Sequence, residues 1–186
     1  MCYSSGTSGT PIVKNKNKVK QKVRIMGINP NQLKVFIEDV IKFYFGEAQA
    51  RPNAIKLLMM VAAHESLGGH YLQQVRGPAR GIFQMEPATE WDLYQNYARF
   101  RTRMRDIYQA VTGESKGAQE LHQRGNLIRQ IVLARMHFLR FPAPIPPTHD
   151  DQALSEYAKK YWNTNAGKAT PEQYRVDYYK YVGETP

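Results

Sequence analysis

One acidic side chain, Glu65, ends an apolar run of the sequence, and its setting suits proton donation. The residues three, four and seven positions before it are Ala62, Val61 and Leu58, so helical spacing places Glu65 on the stripe that faces the core. Burial disfavours the charged form of a carboxyl group and raises its pKa. A general acid needs that shift near neutral pH, for instance to protonate the oxygen between two sugars. The alternative is a helix-end Glu whose side chain reaches water or caps loop amides.

The segments around Glu65 are predicted to form helices. Asn29–Pro30 starts the first helix, which ends near Gly46. The helix that carries Glu65 runs from about Pro52 to Ser66, and a loop or short hairpin follows from Leu67 to Met85, since its glycines suit a helix poorly. Further helical patterns cover residues 87–97, 99–111, 118–140, 150–161 and 171–182, and the proline-rich segment 141–147 is a stiff connector. We expect a mainly α-helical domain with one short β-like or loop region.

Composition limits the class of protein. The chain has 186 residues, 42% of them hydrophobic, which suffices for one domain with a hydrophobic core. No apolar run approaches the roughly 18 residues that a membrane span requires. The N-terminus lacks the apolar segment of a secretory signal peptide, so we expect none. The only cysteine, Cys2, permits neither an intramolecular disulfide nor a cysteine-cluster metal site, and we expect no metal and no cofactor.

Positive charge is concentrated ahead of the helical region. Of 26 basic residues, seven precede the first acidic residue, Glu38, and the remaining 19 nearly balance 16 acids. From Lys14 to Arg24 a base occupies every second position, so an extended chain would direct all six cations to one side. We predict a flexible basic arm over residues 1–29 and a domain over residues 30–186. The arm is either solvated without a ligand, or contacts an anionic surface such as DNA, lipid or a wall polymer.

The motif that begins at Glu65 resembles that of a known enzyme family. Glu65-Ser66 is followed by Gly81-Ile82-Phe83-Gln84-Met85-Glu86-Pro87-Ala88-Thr89. This order is similar to that of the soluble lytic transglycosylases of the lysozyme superfamily, in particular those carried by tailed bacteriophages. Asn126-Leu127-Ile128, at the start of a long helix, and Tyr161-Trp162-Asn163-Thr164-Asn165-Ala166-Gly167 agree with later motifs of the family. The resemblance covers about residues 52–182 and implies a lysozyme-like α+β fold.

The resemblance implies roles for individual residues: Glu65 would be the catalytic acid, and the substrate would be bound by Ser66, Gly81, Gln84, Tyr161 and Asn163. Ser66 would hydrogen-bond the acid or a sugar, and Gly81, which lacks a Cβ, would let the backbone approach a bound sugar. Gln84 offers both a donor and an acceptor to a sugar N-acetyl or hydroxyl group. Alternatively, Ser66 is an ordinary polar residue at a helix end and Gln84 is a buried amide that braces the turn.

Aromatic residues of the C-terminal part need separate assignments. In the family, an aromatic hydroxyl near the C-terminal turn contacts the catalytic acid, and Tyr161 is the candidate here. Tyr174, Tyr178 and Tyr181 lie at helical spacing, which predicts packing rather than sugar binding. His64 lies roughly 100° around its helix from Glu65 and is predicted to be a surface or supporting residue.

The distribution of carboxylates favours a single-acid mechanism. Hydrolysis of a glycosidic bond by the usual routes uses two carboxyl groups, but no Asp or Glu lies between Glu65 and Glu86. Pro87 indicates a helix start, where Glu86 and Glu90 would complement the helix dipole. By the resemblance, Glu65 would protonate the glycosidic oxygen and, as a carboxylate, then take the proton of the muramic C6 hydroxyl, which closes a 1,6-anhydro ring. A hydrolytic muramidase with a second carboxylate such as Glu86 is the alternative.

These patterns lead to one leading hypothesis and one alternative. The chain is expected to be a peptidoglycan lytic transglycosylase that cleaves the MurNAc-β-1,4-GlcNAc bond. It would belong to a bacteriophage virion and act in the host periplasm or cell wall during genome entry, with bacterial peptidoglycan and other virion proteins as partners. The alternative is a structural or glycan-binding virion protein that keeps a lysozyme-like fold and cleaves nothing.

Overall fold

The regular structure of the protein is helical. A computed structural model describes residues 27–113, 119–163 and 167–183. In these ranges the α-helices are α1 (Pro30–Phe45), α2 (Pro52–Ser66), α3 (Pro87–Asn96), α4 (Thr102–Thr112), α5 (Gln119–Gly125), α6 (Leu127–Leu139), α7 (Asp151–Ala158) and α8 (Pro171–Val182). Short 3-10 helices cover Glu47–Gln49 and Ala98–Phe100, and a π-helical turn covers Lys159–Asn163. The prediction of a mainly α-helical domain is confirmed.

The loop between α2 and α3 does not contain the β-like region that the sequence predicted. Its described residues form turns with two isolated antiparallel bridges, one between Gln73 and Arg80 and one between Arg80 and Met85. The chain reverses as soon as α2 ends, because Leu67, Gly68 and Gly69 all have left-handed φ angles, of 53°, 67° and 90°. Successive left-handed residues curl the backbone instead of extending it, so no strand begins there.

Asparagine caps set two of the helix starts. The side chain of Asn29 accepts hydrogen bonds from the amides of Asn31 (3.0 Å) and Gln32 (3.2 Å), so the predicted start of α1 is confirmed. The helix predicted over residues 118–140 is instead divided, because Asn126 has a non-helical ψ of 96° and its side chain accepts from the amide of Arg129 at 3.0 Å. A second break, at Arg101 with an extended backbone and without a side-chain cap, separates the 3-10 turn Ala98–Phe100 from α4.

Helix α2 forms the centre of the core and determines where Glu65 lies. It packs against α1, α6, α7 and α8, and its residues from Leu57 to Ala63 are all buried. The predicted stripe of Leu58, Val61 and Ala62 is therefore in the core. Because other helices surround α2 along its length, its last turn places Glu65 at the edge of the core and not in open solvent.

Residues just before Pro30 contact the helical region. The amide of Ile28 donates to the carbonyl of Gly68 at 2.8 Å, and the hydroxyl of Tyr181 donates to the carbonyl of Ile28. Residues 27–29, which the sequence placed in the arm, thus pack against the end of α2 and against α8. The rest of the predicted basic arm, residues 1–26 with the cations of 14–24, lies outside the described residues. Within the described chain, each helix is too short or too polar to cross a membrane.

A buried ion pair joins α6 to α3. The guanidinium of Arg129 on α6 pairs with the carboxylate of Glu90 on α3, and their side chains are 2% and 10% exposed. The same carboxylate accepts from the hydroxyl of Tyr108 on α4 (3.4 Å) and from the amide of Gln123 on α5 (3.2 Å). One carboxylate therefore holds four helices together, which the prediction of Glu90 as a helix-dipole complement did not anticipate.

His137 is a buried, neutral residue of α6. Its Nε2 donates to the carbonyl of Tyr161 at 2.8 Å, since a carbonyl can only accept, and its Nδ1 has no hydrogen-bond partner among the described residues. The ring lies against those of Phe138, Phe141 and Trp162. Burial, with a smaller effect of Arg140, lowers the pKa of His137 from 6.5 to about 4.

We expect His137 to make the fold less stable in mild acid. Its folded pKa lies below its ordinary value, so the unfolded chain binds the proton more readily between pH 6.5 and about pH 4. The stabilisation is complete above pH 6.5, and about 3 kcal/mol is lost as the pH falls through this window. His137→Gln keeps a donor for the Tyr161 carbonyl and should show a flatter pH dependence of the unfolding free energy in urea. Equal slopes for both proteins would contradict the prediction.

Candidate active site

Glu65 lies in the last turn of α2 with its carboxyl group partly buried. The hydroxyl of Tyr174 donates to its Oε1 at 3.0 Å. Burial raises the pKa of Glu65, and this effect exceeds the opposing effects of His64 and of the Tyr174 hydrogen bond. The predicted rise in pKa is confirmed. The carboxyl group is therefore protonated over a wider pH range than an exposed Glu, as a proton donor requires.

The tyrosine that contacts Glu65 is Tyr174, so the sequence pointed to the wrong residue in Tyr161. Tyr174 lies in the first turn of α8, whose start is fixed by a reciprocal capping box between Thr170 and Gln173. Its side chain is fully buried, and burial followed by the nearby Glu65 raises its pKa, so the hydroxyl keeps its proton. Tyr174 was expected only to pack, because its spacing from Tyr178 and Tyr181 matches a helical stripe.

Tyr161 is a packing residue. Its ring lies 4.5 Å, between centroids, from those of Phe141 and Tyr157, and its backbone carbonyl accepts from His137. In the π-helical turn that contains it, Trp162 contacts Phe83 at 6.2 Å between ring centroids. The C-terminal motif therefore contacts the Gly81–Gln84 turn through an aromatic side chain, whereas no described hydrogen bond joins it to Glu65.

Asn163 closes a turn instead of facing Glu65. Its Oδ1 accepts from Nζ of Lys159 at 2.8 Å, and the same ammonium donates to the carbonyl of Gly167 at 2.7 Å. A Cβ on Gly167 would lie 2.0 Å from that Oδ1, so only glycine fits there. Residues 164–166 of the motif lie outside the described chain. The sequence proposed Asn163 for substrate binding, and its described contacts are structural.

Ser66 joins the end of α2 to the glycine turn. It is fully buried, its hydroxyl donates to the carbonyl of Ile82 at 2.6 Å, and its Oγ accepts from the amide of Gly69 at 2.8 Å. A hydroxyl has one proton to donate, and the shortest bond here is to the carbonyl of Ile82 in the turn. Its hydroxyl also lies 3.2 Å from the carbonyl of Ala62, as at an ordinary helix end, and no described hydrogen bond joins it to Glu65. Contact of Ser66 with a sugar stays a prediction.

Gly81 is required by the packing inside the protein. Its φ is 75°, and a Cβ at this position would lie 2.3 Å from the side-chain amide carbon of Gln130. That amide is held in place, since it accepts from the Ile82 amide (2.8 Å) and donates to the carbonyls of Gln123 (2.9 Å) and Arg124 (3.0 Å). Gln130 fills the space where a Cβ would lie, so packing alone accounts for the glycine, and the approach of a sugar to Gly81 stays a prediction.

In the side-chain amide of Gln84, the Nε2 group braces the turn and the Oε1 atom has no described partner. Its φ is 47°, and its Nε2 donates to the carbonyl of Gly81 at 2.7 Å. The side chain is only partly buried, and no donor in the described part of the chain reaches its Oε1. Gln84 therefore braces the turn, as one of the two expectations had it, and sugar binding through its Oε1 stays a prediction.

Replacing Gly81 by Ala should destabilise the protein by about 1–3 kcal/mol. The methyl group must displace the Gln130 amide from three hydrogen bonds while the backbone holds a left-handed conformation. The measurement is the free energy of unfolding in urea. Gly125→Ala is the matched control, because a Cβ on Gly125 meets nothing within 4 Å and its φ is not left-handed. If both variants lost the same stability, the packing argument for Gly81 would fail.

The acids that follow the glycine turn are occupied elsewhere or exposed. Glu90 is buried in its pair with Arg129, and Asp92 pairs with Arg140 at 2.6 Å. Glu86 is exposed, precedes α3 and makes no side-chain capping bond. The groups with a marked electrostatic effect on Glu65 are His64 and Tyr174, and no described carboxylate is among them. Among the described residues, no three His, Cys, Asp or Glu side chains are grouped as a metal site would require.

No protein-family model, curated protein or solved structure matches the chain. The chemistry of the site therefore has to be inferred from its own residues. A partly buried carboxyl group with a raised pKa can donate a proton and can accept one after it has ionised. The Tyr174 hydroxyl can stabilise the ionised form through its hydrogen bond, and the turn of Gly81–Gln84 offers one free amide oxygen nearby in the chain.

Proposed function

We propose that the protein is a peptidoglycan lytic transglycosylase with Glu65 as its catalytic acid, on a lysozyme-like fold. The observation that supports this most is the setting of Glu65 at the end of the core helix α2, where burial raises its pKa. A structural or glycan-binding protein does not need an acid in that setting. The order of Glu65, the glycine turn and Gln84 supports a glycan as the substrate.

The reaction would need one carboxyl group and no water. Glu65 gives its proton to the oxygen that joins MurNAc to GlcNAc, the bond from that oxygen to C1 of MurNAc breaks, and GlcNAc leaves with a free 4-hydroxyl. The resulting carboxylate takes the proton of the C6 hydroxyl while O6 bonds to C1. The product end is a 1,6-anhydro ring, and Glu65 is protonated again for the next cycle.

The environment of Glu65 suits both halves of this cycle. Burial favours the protonated acid that begins it, and the hydrogen bond from Tyr174 favours the carboxylate that forms in the middle. A hydrolase would need a second carboxylate near the cleaved bond. Of the three acids just after the glycine turn, the exposed Glu86 is the one that no described ion pair holds, whereas Glu90 and Asp92 pair with arginines.

We propose further that the enzyme is carried by a bacteriophage particle and opens the host wall during genome entry. The support is the Gln84-Met85-Glu86-Pro87 sequence, which is similar to that of phage transglycosylases. Peptidoglycan in the host periplasm or wall would be the substrate, and other virion proteins would be neighbours.

Product analysis tests the proposed reaction. Purified glycan strands are digested in water enriched in oxygen-18, beside a hydrolytic muramidase as control, and the new ends are analysed by mass spectrometry. The proposal expects anhydro-muramic ends, lighter by one water and without the label. Labelled reducing ends would overturn it in favour of hydrolysis, with Glu86→Gln as the next variant to examine. Binding of the strands without cleavage would favour the non-catalytic alternative.

A further inference from the structure

Four side chains form a continuous chain of contacts that ends at Glu65. Asp177 on α8 lies 2.9 Å, through Oδ2, from Nδ1 of His64 on α2. The His64 ring lies against the Tyr174 ring, with the centroids 4.0 Å apart and the planes 37° apart. Tyr174 then donates to Glu65. The glycan-cleavage mechanism accounts for Tyr174 but leaves His64 and Asp177 without a role.

We propose that His64 and Asp177 are positioning residues: Asp177 fixes the imidazole of His64, and that ring holds the ring of Tyr174 so that its hydroxyl stays on Glu65. This proposal rests on the proposed function only in that it takes Glu65 to be the catalytic acid. The contact itself can be measured on the protein without substrate.

The arrangement places the pair where it can act on the hydroxyl. Asp177 follows Tyr174 by three residues on α8, so the two side chains lie on the same helix face, and His64 is the neighbour of Glu65 on α2. The pair therefore crosses the α2–α8 interface directly beside the Tyr174–Glu65 contact. The hydroxyl oxygen of Tyr174 lies on the axis of the second side-chain torsion, so it moves only with the first torsion. A small change of that torsion swings the whole ring and displaces the oxygen most.

The burial of these groups favours a fixed contact. The side chains of His64 and Asp177 are 17% and 25% exposed, while Tyr174 is fully buried. His64 covers a face of the Tyr174 ring, and without Asp177 the imidazole would be free to turn about its own side-chain torsions. Removal of the Asp177 carboxylate would therefore move the Tyr174 hydroxyl, although the described contacts do not join these two groups directly.

The decisive measurement is the titration of the Glu65 carboxyl carbon by carbon-13 NMR, with the signal assigned by its loss in Glu65→Gln. Tyr174→Phe removes a hydrogen bond to the carboxylate, so the midpoint should rise by about 0.5 to 1 pH unit. Asp177→Ala should move it in the same direction. Asp177→Asn keeps an acceptor for His64 and should stay close to the wild type.

A double-mutant cycle separates positioning from charge. If Asp177 acts through Tyr174, Asp177→Ala should add nothing in a Tyr174→Phe background. An undiminished shift in that background would show that Asp177 acts only through the charge of the pair, and would overturn the proposal. So would an unchanged midpoint in Asp177→Ala, or in Tyr174→Phe itself.

Cleavage rates give a second readout. Asp177→Ala should lower kcat by about 10-fold with KM unchanged, and the alkaline limb of the pH profile should move up with the Glu65 midpoint. Arg175→Ala is the control on the same helix, since it removes the neighbour of Tyr174 in sequence, whose described partners are Glu172 and Gln152 and not the four side chains of this chain of contacts. If the wild-type protein cleaved no glycan, the proposed function would fail, while the titration would still decide whether the pair positions Tyr174.

Discussion

Glu65→Gln is expected to lower the rate of glycan cleavage by about 10²- to 10⁴-fold, the usual contribution of a general acid. Glutamine has the same shape, and its Oε1 can still accept from Tyr174, but it has no acidic proton to give to the glycosidic oxygen. The rate is measured as the release of soluble fragments from purified peptidoglycan. Thermal unfolding should show that the variant is folded, because the substitution removes a carboxyl group that burial disfavours when charged.

Glu86→Gln is the matched control for this loss. It makes the same chemical change at an exposed carboxylate that follows the glycine turn. We expect it to retain the wild-type rate, since a single-acid mechanism gives Glu86 no part. A Glu65→Gln protein with full activity would remove Glu65 from the mechanism, and an inactive Glu86→Gln protein would indicate a second catalytic carboxylate.

Arg129→Met should have the largest effect on stability, with a loss of about 3–5 kcal/mol. The change leaves the carboxylate of Glu90 buried without its cation, and that carboxylate connects α3, α4, α5 and α6. The free energy of unfolding in urea measures the loss. Arg129→Met combined with Glu90→Leu removes both charges and should recover most of it, because an apolar pair can replace a buried ion pair.

The outcome of the double variant decides what the pair contributes. Recovery would show that the cost of the single variant is an unpaired buried charge. A double variant as unstable as Arg129→Met would instead show that the geometry of the four-helix junction depends on the polar groups themselves.

Local chemistry predicted those parts of the structure that depend on neighbours in sequence. Asn29 caps α1 as its type and position indicated, and periodicity correctly placed Leu58, Val61 and Ala62 in the core. The β-like region was not found, because three consecutive left-handed residues after α2 determine the path of the chain there, and only two of them are glycines.

The candidate site was predicted less well because its contacts join distant segments. Gly81 needs its hydrogen side chain because of Gln130, 49 residues later, and Ser66 donates to a carbonyl 16 residues away. Tyr161 and Tyr174 are both tyrosines near the C-terminal motif, and only the packing of α8 on α2 brings one of them to the acid. Spacing along the chain does not encode which helix faces which.

The hydrogen bond between Tyr174 and Glu65 joins residues 109 positions apart in the chain. During synthesis, Glu65 is therefore made long before the helix that completes its surroundings. Until α8 docks, the acid has neither its hydroxyl partner nor the cover that the buried tyrosine ring supplies. The proposed catalytic centre is thus complete only once α8 has packed against α2.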